Sequence, residues 1–146
     1  MKWTVQAIGK PALDYAKRGI AEYEKRLRRL AQLEVSYLGK DQGKEKNTLS
    51  HLQRSEGALR IVLDERGESW TTDQLVKRID QWEMNGVKRI SLMIGGADGH
   101  PREMRQKADS VWALSPLTMQ HELALVVLLE QVYRAYTIKR GEPYHR

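Results

Sequence analysis

The sequence ISLMIGGADG, residues 90–99, decides the fold that we expect for this chain. Its first five residues are mostly apolar, and the run stops abruptly at Gly95 and Gly96, with a third glycine at Gly99. A short apolar run that ends in glycines predicts a buried strand whose carboxyl end opens into a tight loop. Glycine lets a ligand approach the main chain closely, and ligands of open α/β sheets bind beyond the carboxyl ends of strands. We therefore expect a ligand over Gly95 and Gly96.

The rest of the chain predicts strands that alternate with helices. This order indicates an α/β protein with a mostly parallel sheet flanked by helices. Strands are predicted at residues 2–8, 33–38, 60–63, 90–94 and 111–114, and helices at residues 13–30, 48–58, 72–85, 101–107 and 121–139.

Local signals set the expected boundaries. Pro11 is placed to open the first helix, and Thr71 or Thr72 caps the third, with Gly86 beyond its end. Residues 39–47 are charged and aperiodic, which predicts a mobile loop, and residues 64–67 form the loop after the third strand. The last helix is apolar nearly all round, which indicates burial inside the domain or against a second copy, and we expect a homodimer.

Composition restricts the class of protein. The chain has 146 residues, 40% of them hydrophobic and 30% charged, which fits one globular domain over residues 1–146. The longest apolar run, residues 123–129, is too short to span a bilayer. The absence of cysteine fits a cytoplasmic protein. A net charge of +6 favours a polyanionic partner such as nucleic acid.

Several kinds of chemistry lack their motifs. The four histidines are scattered without metal-ligand spacing, so no metal is expected. The chain has no G-x-S-x-G, no Walker-type phosphate loop and no G-x-G-x-x-G fingerprint. What remains is three turns after predicted strands, around Leu63, Gly95 and Leu114. If their strands adjoin, the turns form a cleft with apolar walls and main-chain hydrogen-bonding groups, which suits an adenosine-like ligand.

Five segments together resemble a known family. They are LDERG (63–67), IGGADG (94–99), WALSPLTMQH (112–121), EQVYRAY (130–136) and the final RGEPYHR (140–146). The chain resembles the ribosomal large subunit methyltransferase H family of the SPOUT superfamily over its whole length. The resemblance implies a deep trefoil knot near the last helix and S-adenosylmethionine (SAM) as cofactor. It further implies a homodimer that methylates N3 of a pseudouridine in the helix 69 loop of 23S ribosomal RNA, within assembled ribosomes.

The resemblance also implies the site residues. Cofactor contacts fall on Leu63, Gly95, Leu114, Ser115, Pro116, Leu117, Thr118 and Met119. RNA contact and catalysis fall on His121, Arg134, Tyr144, His145 and Arg146, partly across the dimer interface. Within this group we assign catalysis to Arg134, Tyr144 and His145 and RNA contact to His121 and Arg146. A base such as His145 would remove the N3 proton, or a cation such as Arg134 would stabilise the resulting anion.

Two positions depart from the family pattern. Gln120 stands where the family usually has proline, and Leu125 stands where it usually has arginine. Two other functions compete with methyl transfer. One is a basic α/β protein that binds RNA without a cofactor, through the first helix and the final residues. The other is a flavodoxin-like domain that binds a phosphate-containing ligand, which is disfavoured because no Ser/Thr/Gly-rich loop follows the first strand.

Overall fold

A five-stranded, wholly parallel sheet forms the centre of the computed structural model, which describes residues 1–146. The strand order is β2-β1-β4-β3-β5. The strands are β1 (Lys2–Ala7), β2 (Gln32–Tyr37), β3 (Leu59–Ser69), β4 (Arg89–Ile94) and β5 (Ser110–Ala113). The helices are α1 (Asp14–Arg28), α2 (Lys44–Arg54), α3 (Thr72–Met84), α4 (Arg102–Lys107) and α5 (His121–Lys139). The predicted α/β class with a parallel sheet is confirmed.

Helices cover both faces of the sheet. The larger apolar cluster joins α1, α3 and α5 to one face, through residues such as Ile20, Ile79 and Leu129 on the helices and Leu92 on β4. The smaller cluster places Met104 of α4 and Leu52 of α2 against Val62 and Met93 on the other face. Because successive strand residues point to opposite faces, the two clusters draw on alternate positions of β3 and β4.

The helix ends follow their local sequence where a capping group is available. Thr71 caps α3 and forms a capping box with Gln74, and Gly86 follows the helix with φ +74°. The bounds predicted for α5 coincide with those observed. Pro11, in contrast, does not open α1: the helix begins at Asp14, and Leu13 is its N-cap residue.

Two other boundary predictions are wrong. Residues 39–47 are not one loop, because α2 begins at Lys44 and ends at Arg54, well before the predicted end. Residues 64–67 are not a strand exit, because β3 continues to Ser69. The pairing of β3 with the edge strand β5 shifts register between Leu63 and Glu68. This shift is a bulge in which the charged residues 64–66 of β3 have no partner in β5. No helix has the length and apolar character that crossing a membrane requires.

Candidate active site

The carboxyl ends of β4, β3 and β5 lie side by side and surround a cavity of about 250 Å³. Leu63 pairs in register with both Ile94 and Trp112, which brings the three following turns together. This volume is close to the lower end of the range for small-ligand sites. The lining residues are 63–66, 94–99, 114, 115, 117–119, 121 and 124.

The glycine turn after β4 is closed tightly on itself. The Gly99 N–H donates to the Gly96 carbonyl (3.0 Å), and Gly99 has a φ of +71°. A Cβ added at Gly95 would lie 2.7 Å from the Gly99 carbonyl carbon, closer than any real side-chain contact. Only glycine therefore fits at Gly95 without moving the wall of the cavity.

A carboxylate from a distant loop holds the same turn from outside. The Ala97 N–H donates to Asp41 Oδ2 (2.8 Å), while the Asn47 amide and the Gly43 N–H donate to Asp41 Oδ1 (2.9 and 3.0 Å). These three hydrogen bonds, led by the one from Ala97, lower the pKa of Asp41. A Cβ at Gly96 would lie 2.2 Å from Asp41 Oδ2, so this glycine makes room for the carboxylate.

The segment between β5 and α5 forms the opposite wall. The Ser115 hydroxyl accepts a hydrogen bond from the Leu117 N–H (3.0 Å), and the Thr118 hydroxyl contacts Glu65 of the β3 bulge. Leu114, Ser115, Leu117, Thr118 and Met119 line the cavity. Of the eight residues predicted to bind a cofactor, seven line this cavity, and Pro116 lies in the same segment outside the lining.

The two departures from the family pattern have local structural roles. Gln120 is the N-cap residue of α5, and its Oε1 accepts hydrogen bonds from the N–H groups of Glu122 and Leu123 (2.9 and 3.0 Å). Its side chain thus satisfies N–H groups that the helix leaves free. Leu125 is 2% exposed and belongs to the main apolar cluster, so no charge is missing from the surface at this position.

The predicted catalytic residues form a second group on the last helix and the final segment. The Arg134 guanidinium lies over the Tyr144 ring (4.8 Å to the centroid), its Nε donates to Glu130 (2.9 Å), and its Nη1 is 3.2 Å from His145 Nδ1. The Tyr144 hydroxyl contacts Tyr23 and Glu130 (3.2 and 3.1 Å).

The environment of this group keeps its two main members in fixed charge states. The hydrogen bond with Glu130 raises the pKa of Arg134, so the guanidinium stays cationic. Burial and the contact with Tyr23 raise the pKa of Tyr144, so the phenol stays neutral. Arg146 is exposed and contacts only the Pro143 carbonyl (3.5 Å).

Within one chain, this second group and the cavity are separate. Arg134, Tyr144, His145 and Arg146 are not among the residues that line the cavity, whereas His121, the first residue of α5, is. No cluster of histidine, aspartate and glutamate side chains in the structure could hold a metal ion.

Sequence reasoning missed Asp41 as a neighbour of the site, whereas Glu65 belongs to the segment 64–67 that was predicted to border the cleft after the third strand and lines the cavity. Asp41 lies in the stretch 39–47, which the sequence predicts to be a mobile loop. The proximity of Asp41 to Ala97 depends on the sheet bringing residues 56 positions apart together, for which local patterning gives no signal.

Comparison with known proteins shows similarity to methyltransferases. A family model described as "Predicted SPOUT methyltransferase" matches residues 1–145. The chain belongs to the SPOUT methyltransferase family. Curated SPOUT relatives bear the name "Ribosomal RNA large subunit methyltransferase H". One from Thermus thermophilus is 46% identical over 146 residues, which cover 100% of this chain and 99% of the relative. One from Deinococcus deserti is 42% identical and is covered over its full length, as is this chain.

Solved structures share the fold at low identity. A methylase-family protein from Haemophilus influenzae Rd KW20 superposes with a TM-score of 0.58 at 10% identity, covering 99% of this chain and 70% of that one. A Legionella pneumophila protein solved in complex with the bound cofactor SAM superposes with a TM-score of 0.53 at 12% identity, covering 92% of this chain and 66% of that one. At these identities the two structures support the SPOUT fold alone.

Proposed function

We propose that this chain uses SAM to methylate ribosomal RNA of the large subunit. The observation that carries the proposal is a full-length identity of 46% to a relative named for that activity, combined with a cavity between three strand-end turns. The finer expectation from the sequence belongs to the same proposal: the target atom is N3 of a pseudouridine in the helix 69 loop of 23S ribosomal RNA, and the substrate is the assembled ribosome.

The cavity has the chemistry that SAM needs. Its walls include Leu63, Ile94, Leu114 and Met119, which suit the faces of an adenine ring, and the glycine turn presents main-chain groups without side chains. Four charged side chains also line it: Arg66 pairs with Asp64 (3.5 Å), and Glu65 and Asp98 remain as the acidic groups that favour a cationic ligand. When bound, SAM supplies an electrophilic methyl group on a sulfonium. The task of the chain is then to hold the accepting nitrogen in line with that group.

A second copy of the chain would complete the site. Apolar side chains are exposed around the start of α5, with Leu117 75%, Leu13 41% and Leu123 37% exposed. The Glu122 carboxylate ties this region to α1 by accepting hydrogen bonds from the N–H groups of Ala12 and Leu13 (2.8 and 3.0 Å). His121 and Ala124 of the same helix line the cavity, so a partner that covered the patch would reach the mouth of the site. We infer a homodimer in which Arg134, Tyr144 and His145 of one chain act beside the cavity of the other.

The residues of the second group would act on the RNA base. N3 of a pseudouridine carries a proton that must leave before the nitrogen can attack. Arg134, held cationic by Glu130, would stabilise the negative charge that develops on the base. The Nδ1 of His145 accepts a hydrogen bond from Arg134 (3.2 Å) and would have to release this contact before it could accept the N3 proton. His121 and Arg146 would contact the RNA. The segment between β5 and α5 would be threaded as the trefoil knot of the superfamily. The protein would act in the cytoplasm.

The test is methyl transfer from labelled SAM to purified ribosomes that lack the modification, followed by mapping of the labelled nucleotide. We expect one labelled position, a pseudouridine in the helix 69 loop. Binding of RNA without binding of SAM would instead favour the cofactor-free RNA-binding protein. Label at another nucleotide would retain the enzyme class and reject the target.

A further inference from the structure

Three lysines lie close along the chain to Asp41, whose carboxylate holds the glycine turn after β4. Lys40 precedes Asp41 in the chain, and Lys44 and Lys46 belong to the first turn of α2, which begins three residues later. All three side chains are exposed. We call residues 39–46 the lysine loop.

None of the three ammonium groups forms an ion pair in the structure. The loop also contains two carboxylates. Both acidic residues, Asp41 and Glu45, are exposed, and the Asp41 carboxylate accepts hydrogen bonds from Ala97, Asn47 and Gly43. Three lysines and two carboxylates give the loop a formal charge of +1.

The other basic surface is partly neutralised. On α1, Arg26 pairs with Glu22 and Arg28 pairs with Glu24 (3.2 and 3.3 Å). Pairs of this kind reduce the net attraction of a helix face for phosphate. Lys17, Arg18 and Lys25 of α1 are also exposed and form no ion pair. No residue of α1 lines the cavity, however, whereas the lysine loop contacts the cavity rim through Asp41.

The loop is fixed to the rim of the cavity through one residue. Asp41 accepts from the N–H of Ala97 (2.8 Å), and Ala97 lines the cavity. Lys40 precedes Asp41, so its Cα lies about 3.8 Å from the Cα of the residue that contacts Ala97. Asn47, 6% exposed, braces the loop by accepting from the Gln42 N–H (3.2 Å) as well as donating to Asp41. The backbone that carries the three lysines is thereby held beside the rim of the cavity.

We propose that the lysine loop is a phosphate-binding surface that docks the substrate RNA beside the cavity. The inference rests on the proposed function, because it names the part of the protein that grips the backbone of the RNA to be methylated. Lysine contacts with phosphate carry no sequence information, so the loop contributes affinity and placement while other residues select the base.

The test compares two triple variants of the full-length protein. The first is Lys40→Gln, Lys44→Gln and Lys46→Gln. The matched control is Arg54→Gln, Lys77→Gln and Lys88→Gln, which removes the same three charges from a net charge of +6. The control residues are exposed and form no ion pair. Arg54 ends α2, Lys77 lies on α3, and Lys88 precedes β4 at the amino end of that strand, whereas the cavity lies at the carboxyl end.

Binding of each protein to unmethylated ribosomes is measured from about 50 to about 200 mM KCl, where counterion release makes affinity depend steeply on salt. Each lost phosphate contact removes about 0.7 from the slope of log K against log salt for single-stranded RNA, so the first variant should show a slope shallower by about 2. At about 0.15 M salt this corresponds to a Kd raised on the order of 50-fold. The control should change neither quantity by a comparable amount, and both variants should bind SAM like the wild type.

The outcomes separate the inference from the function on which it rests. Equal ribosome affinity and salt slope for the two triple variants, with an active wild type, would overturn the phosphate-binding loop and leave the methyltransferase intact. A wild-type protein that transfers no methyl group to ribosomes would reject the proposed function itself, and the inference with it. A first variant that also loses SAM binding would show that the lysines act through the cavity rather than on RNA.

Discussion

Replacing Gly95 by alanine tests how the cavity is built. The new Cβ would lie 2.7, 2.8 and 3.0 Å from three backbone atoms of Gly99, whereas ordinary contacts begin at 3.4 Å. The two sides of the turn must therefore separate by about 0.7 Å, since neither is a flexible side chain. Overpacking of this kind costs about 1–3 kcal/mol. For a domain of this size that lowers Tm by about 3–10 °C.

The loss of ligand binding should exceed the loss of stability. The displaced turn includes Gly96 and Ala97, which line the cavity, and a misplacement of about 1 Å in a reacting group can cost about 100-fold in rate. We expect SAM to bind at least about 10-fold more weakly by calorimetry, at a temperature where the variant is fully folded.

Gly86→Ala is the matched control for this substitution. Gly86 has φ +74° and nothing within 4 Å of an added Cβ, so alanine there strains the backbone after α3 without touching the cavity. It should lower Tm by a similar amount and leave SAM affinity unchanged. A folded Gly95→Ala variant with wild-type affinity would refute the assignment of the glycine turn to the cofactor site.

Three further predictions address other parts of the structure. Asp41→Ala removes the acceptor for the Ala97 N–H and should weaken both SAM and ribosome binding, in calorimetry and in the salt-dependent ribosome assay; normal SAM affinity would show that the turn holds itself. Burial and nearby His100 lower the pKa of His51 to about 3. Folding therefore keeps the ring neutral, and stability that is complete above about pH 6.5 declines towards about pH 3. Between about pH 3 and pH 6.5, His51→Leu should reduce the slope of the free energy of unfolding against pH, measured by urea denaturation, by up to about 1.4 kcal/mol per pH unit. An unchanged slope would contradict the neutral ring. Deleting residues 144–146 should lower turnover strongly with SAM affinity near normal, and undiminished single-turnover methylation would remove these residues from catalysis.

The sequence pattern predicted the parts of the fold that local rules control. The apolar run before Gly95, the capping of α3 and the bounds of α5 depend on strand and helix periodicity and on neighbouring residues. The convergence of Leu63, Gly95 and Leu114 was predicted only on the condition that their strands adjoin. The structure meets this condition, because β4, β3 and β5 are neighbours and the carboxyl ends of parallel strands share one edge.

The prediction that Pro11 opens α1 failed locally, whereas two other errors fall where distant contacts override local composition. Residues 64–69 are charged and contain Gly67, yet they continue β3 because β5 pairs with them past a bulge. A Cβ at Gly67 would lie 2.4 Å from the Val111 carbonyl oxygen, so the glycine serves the close approach of two strands rather than a turn. Likewise, Asp41 and Asn47 order a stretch that composition alone predicts to be mobile.

The grouping of Arg134, Tyr144 and His145 was suggested by family resemblance, not by spacing. The structure shows the three side chains in contact, on a surface apart from the cavity. Whether they act at a partner's cavity depends on an interface between copies, which no pattern within a single chain specifies.

The central claim is that the turns after β3, β4 and β5 hold a methyl donor. The most direct measurement is a crystal structure of the full-length protein grown with saturating SAM. The account predicts the donor between Leu63, Gly95 and the segment 114–119, with its methyl group facing the opening beside His121. Density for the donor at any other place, or an empty cavity at saturation, would contradict it.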